Sequence, residues 1–109
     1  MEIKAEQEQV QDWRNMIGQL VTSKAGHDKG GLYVVVAEEG DFLFLCDGHL
    51  KPPDKPKKKR RKHTQRINQK VEEGLLLKLQ KGEKVYAEEI KYALKQYKIA
   101  AAGGMEAEL

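Results

Sequence analysis

From Gly18 onward, short apolar runs alternate with glycine-containing turns. Leu20, Val21 and Thr22 read as a strand, and the stretch from Ser23 to Gly31 is rich in turn residues. Leu32 to Ala37 (LYVVVA) is a β-branched and aromatic run. Glu38-Glu39-Gly40-Asp41 supplies hairpin chemistry, and Phe42 to Cys46 (FLFLC) is a further strand ended by Asp47-Gly48. Short strands at about ten-residue spacing, separated by such turns, predict a small antiparallel barrel. The two central strands are almost continuously apolar, which predicts burial on both faces.

The flanks follow a different period. Val10, Trp13 and Ile17, at i, i+3 and i+7, predict a short N-terminal helix over 1–16 with a narrow apolar stripe. Downstream, Ile67, Val71, Leu75 and Leu79 recur every four residues, an amphipathic helical pattern with Gly82 as its C-cap. A second pattern follows Lys84, with Ile90, Leu94 and Tyr97 on one face. Its early Glu88 and Glu89 and late Lys95 and Lys98 match the helix dipole. The expectation is a mainly β protein with added helices (α+β). It comprises the N-terminal helix, a barrel over 17–56, a basic arm over 57–66, an αα-hairpin over 67–99 and a disordered tail over 100–109.

Charge changes this picture. Twenty Lys and Arg against seventeen Asp and Glu leave a net charge of only +3. Residues 51–66 (KPPDKPKKKRRKHTQR) hold nine of the cations and one acid, a net +8, so the rest of the chain carries −5. A concentrated cationic segment on an acidic body is the electrostatic footprint of a polyanion binder. Pro52, Pro53 and Pro56 are all the prolines in the chain, and they force an extended path through the first part of that segment.

With those residues in view, the segment from Ile17 to Gly48 resembles a KOW motif. Gly18 precedes a hydrophobic strand, Gly26 and Asp28-Lys29-Gly30 form the loop, and two further strands run into Asp47-Gly48. The nearest likeness is to the fourteen-e class of large-subunit ribosomal proteins, in particular to short bacterial RNA-binding relatives. In those, an Asp-Gly is followed by a basic, proline-containing stretch. The resemblance implies an SH3-like β-barrel that binds RNA through its loop, which falls here on Lys24, His27, Asp28, Lys29 and Gly30. The basic stretch would add Lys51, Lys55, Lys57, Lys58, Lys59, Arg60, Arg61, Lys62, His63 and Arg66. Ribosomal RNA is the expected partner, with ribosomal proteins as neighbours, for a monomer in the cytoplasm. Glu38, Glu39 and Asp41 make the far hairpin negative, so RNA contact there is not expected. Nine cations neutralising 6–8 phosphates would give a salt slope of roughly −4 to −6 on single strands.

Other chemistry finds little support. A chain of 109 residues buries only roughly 65% of its unfolded surface, which leaves little room for a deep catalytic cleft. Cys46 is the single cysteine, set in an apolar run without a nearby base, and reads as a packed thiol. His27, His49 and His63 lie in separate loops without metal-ligand spacing. No enzyme activity, metal or cofactor is expected. The N-terminus MEIKAEQEQ is acidic and polar, unlike a secretory signal, and no apolar run reaches the ~20 residues of a membrane helix. The alternative reading is a protein–protein module docking on the ribosome or transcription machinery through the barrel or the helical hairpin (Ile67, Leu75, Leu76, Ile90, Leu94). Salt separates the two, because RNA binding weakens steeply with it and apolar docking does not.

Overall fold

The computed structural model describes residues 15–49 and 51–102. The N-terminal helix expected over 1–16, with Val10 and Trp13, falls almost wholly outside the described residues, as do positions 103–109 of the expected tail. Five strands, β1 (Gln19–Ser23), β2 (Leu32–Glu39), β3 (Phe42–Cys46), β4 (Lys57–Arg60) and β5 (Thr64–Lys70), precede two helices, α1 (Glu73–Lys81) and α2 (Ala87–Ala101). A 3-10 turn over Arg61–His63 joins β4 to β5. All strand pairs are antiparallel, in the order β4-β3-β2-β1-β5.

The period of two sorts the apolar runs onto two faces. Leu20, Val34 and Cys46 face the helices and pack with Val71, Leu75, Ile90 and Leu94. Their sequence neighbours Val21, Tyr33, Val35 and Leu45 join Met16 and Leu43 in a second buried cluster on the opposite face. Both clusters exclude water, which is why neither central strand shows polar alternation. A bulge between Val35 and Ala37 shifts the β2–β3 register and carries the alternation on to Glu38↔Leu43.

Two expectations need correction. The basic segment is not an arm. Lys57–Arg60 is an edge strand in register with β3, pairing Leu45↔Lys57, Phe44↔Lys58, Leu43↔Lys59 and Phe42↔Arg60. Pro56 precedes that strand, where its missing N–H costs nothing, and lysines are well suited to an edge. The second correction concerns Thr64–Lys70, which is strand β5 rather than the start of a helix; helix α1 begins at Glu73. Of the four residues in that recurrence only Ile67 lies in β5, while Leu75 and Leu79 lie in α1, so the helical pattern holds only for its second half. Pairing with β1 decided the matter, reinforced by the buried Gln19 amide, which donates to the carbonyls of Ile67 and of Gln69 (2.7 Å). Glu72 caps α1 by accepting from Gly74 N, and Gly82 closes it at φ +74°.

Candidate nucleic-acid interface

The loop from Lys24 to Gly31 is held by a polar knot. Ser23 N donates to Gly31 O (3.0 Å) and Gly30 N to Ser23 O (2.8 Å), closing the loop at its base. Gly26 and Gly30 take φ near +88°, in the left-handed region open to glycine. Lys59 reaches in from β4, and its Nζ donates to Asp28 Oδ1 (2.8 Å) and Ala25 O (2.7 Å). Ser23 Oγ lies 3.0 Å from the same two acceptors. Burial pushes the Asp28 carboxyl up, but the hydrogen bonds from Lys59 and Ser23, with the charges of Lys59 and Lys57, hold it below its ordinary value. Asp28 Oδ2 is buried without a hydrogen bond, and Lys57 Nζ compensates it from 3.7 Å.

A second turn stands beside this loop. Asp47 Oδ1 accepts from the backbone of His49 (2.8 Å) and Lys51 (2.9 Å), and Gly48 N donates back to Lys51 O. Loop and turn together line an open cleft of about 380 Å³, which collects His27, Asp28, Lys29, Lys51 and Lys57 around Tyr33 and Asp47. Residues distant in sequence therefore share one surface because the start of β2 and the end of β3 lie at the same end of the sheet.

The other expected ligands lie elsewhere. Lys59 is only 8% exposed, so it is a structural cation rather than a phosphate ligand, and Asp28 is its counter-ion. Arg60 pairs with Asp41 (3.0 Å) and, with Lys58, lies over the Phe42 ring. Arg61 pairs with Glu38 (3.0 Å) and donates to Gly40 O, both groups being largely buried. The acidic hairpin is thus partly neutralised by the basic segment itself. Arg66 Nε donates to Gln19 Oε1 (3.2 Å). Lys24, Lys55 and Lys62 are exposed outside the cleft, and His63 is half-buried with its carbonyl bonded to Lys24 N. Gly30 shapes the loop through its backbone.

Tyr33 is 5% exposed and belongs to the core. Burial, then the charges of Asp28 and Asp47, push its phenol up. The half-buried Phe42 and Phe44 instead lie beside Lys58 and Arg60; the alternation in FLFLC was the signal for them. Cys46 is fully buried, and burial, with the charges of Asp47 and Asp54, pushes its thiol up to about 12. Among the described residues, no helix is long and apolar enough to cross a membrane.

No protein-family model matches the chain, and no curated protein matches it either. The fold and the cleft define a small α+β protein, with a five-stranded antiparallel sheet, two helices on one face, and a cationic cleft at the sheet's end.

Proposed function

We propose that this is a non-catalytic RNA-binding protein of the KOW type, associated with ribosomes or translation, which grips the backbone of structured RNA. The observation that carries the reading is the cleft in which His27, Lys29, Lys51 and Lys57 converge from two turns and a strand. Lysine ammonium groups act on phosphates as point charges, and a shallow cationic cleft with its aromatic buried suits recognition of backbone and shape. The SH3-like reading of the sheet rests on its strand order, the 3-10 link between the outer strands, and the second core cluster enclosed opposite the helices.

The test is a salt titration of binding to purified ribosomes and to a structured RNA. It compares wild type with Lys29→Gln/Lys51→Gln/Lys57→Gln, which spares the structural Lys59. Three phosphate contacts contribute about −2 to −3 to the log–log slope, and the triple variant loses that share. Absence of RNA binding at low salt overturns the reading.

A second reading, a protein-docking module, is favoured by one feature. Tyr92, 61% exposed, stands with Ala93 and Tyr97 over an apolar groove of about 420 Å³ between α2 and the end of β5. Ribosome association that survives high salt and the triple variant would select it.

A further inference from the structure

Helix α2 carries Lys91, Lys95 and Lys98 at i, i+4 and i+7, which places the three within a narrow sector of one helical face. That face does not stand alone. The three lysines, with His49, line a second open cleft of about 550 Å³, and its opposite wall is made of Gly31, Tyr33 and Asp47. Those same three residues line the first cleft. The two depressions therefore meet across one shared ridge, with Lys29, Lys51 and Lys57 on one side and the lysines of α2 on the other.

The helix is seated there by a contact that only glycine permits. Gly48 has φ +82°, and a Cβ built on it would lie 2.6 Å from Lys91 Cγ and 2.8 Å from Ala87 O. The first turn of α2 rests directly on the turn whose backbone presents His49 and Lys51. Among the described residues, no ion pair engages Lys91, Lys95 or Lys98, whereas Lys78 on α1 is paired to Glu89. Asp47, the acid on the shared ridge, has Oδ1 occupied by two backbone donors.

We infer that the lysine face of α2 is the second half of the RNA site, so that one phosphodiester backbone runs from the 24–31 loop across the 47–49 turn and along the helix. This rests on the RNA-binding reading above and assigns it a path and a role for the C-terminal helix. Lysines one turn apart on a helix sit about 6 Å from each other, a spacing that lets successive phosphates of a strand meet successive ammonium groups.

The probe is a fluorescein-labelled RNA stem-loop, titrated with the full chain at a series of salt concentrations. Four proteins are compared: wild type, Lys91→Gln/Lys95→Gln/Lys98→Gln, Lys95→Gln/Lys98→Gln, and a control Lys81→Gln/Lys84→Gln away from both clefts. The double variant leaves the Lys91 stem packed on Gly48, so a folding defect in the triple variant does not void the test. Each phosphate contact removed lowers the salt slope by about 1, so the triple variant should lose about 3 and the double about 2. Weakening on the order of tenfold or more at physiological salt should accompany the triple variant, with the control unchanged. Wild-type binding with an unaltered slope in both α2 variants overturns this inference while leaving the RNA reading standing. Wild type that fails to bind the stem-loop overturns both. Binding of polyglutamate in place of RNA, lost in the double variant, also overturns it and assigns the face to an acidic protein.

Discussion

Lys59 and Asp28 show how one pair of side chains converts a charged segment into structure. Both are largely buried, and each satisfies the other while fixing the loop that lines the cleft. Replacing Lys59 by Met leaves the Asp28 carboxylate desolvated with Ser23 as its remaining hydrogen-bond donor. Urea unfolding should register a loss of about 3 kcal/mol, the low end for breaking such a pair, because Lys57 stays nearby. Because the Asp28 carboxyl is held below its unfolded value of about 3.9, its contribution is fully present above about pH 4. That contribution is lost as pH falls through the lower folded value. Unfolding of wild type and Asp28→Asn compared at pH 7 and pH 3 should show the variant less stable at pH 7 and the difference shrinking at pH 3. Cys46 belongs to the same scale: buried and pushed up to about 12, it should resist alkylation at pH 8 in the native protein and react on denaturation.

At the scale of elements, two glycines act by different means. Gly82 closes α1 at φ +74° with open space around it, so Gly82→Ala costs backbone strain alone, about 1 kcal/mol by thermal unfolding. Gly48 combines positive φ with a close approach of α2, so alanine there must displace the helix as well as strain the turn. The Gly82 C-cap, the helix after Lys84 and the apolar strand runs were legible because each depends on residues near in sequence. Strand β5 was not: it holds only Ile67 of the recurrence read as a helix, and its pairing lay with β1, some forty residues upstream. Likewise the sequence reads β4 as part of a basic RNA-binding arm because nothing local announces that four successive cations will pair with FLFLC.

For the molecule as a whole, the basic segment supplies an edge of the sheet as much as a charge. Changing Lys57 to Lys62 together to alanine removes the Lys59–Asp28, Arg60–Asp41 and Arg61–Glu38 pairs at once. The expected result is a broad, lowered thermal transition in circular dichroism, so loss of RNA binding in that variant would report unfolding. The cleft variant and Lys95→Gln/Lys98→Gln remove charges while leaving those three pairs in place.

The chain's own order of residues determined which stretches are apolar enough to be buried, where turns must fall, and that cation density peaks at 51–66. It also held the lysine spacing on α2. Tertiary structure decided which cations remain outward-facing. Lys59 was consumed inside the fold, Arg60 and Arg61 were paired against the hairpin acids, and Lys29, Lys51 and Lys57 were gathered into one cleft. The physical reason is that a charge's availability depends on desolvation and on its partners. Both are set by contacts between residues far apart in sequence, and local composition does not record them.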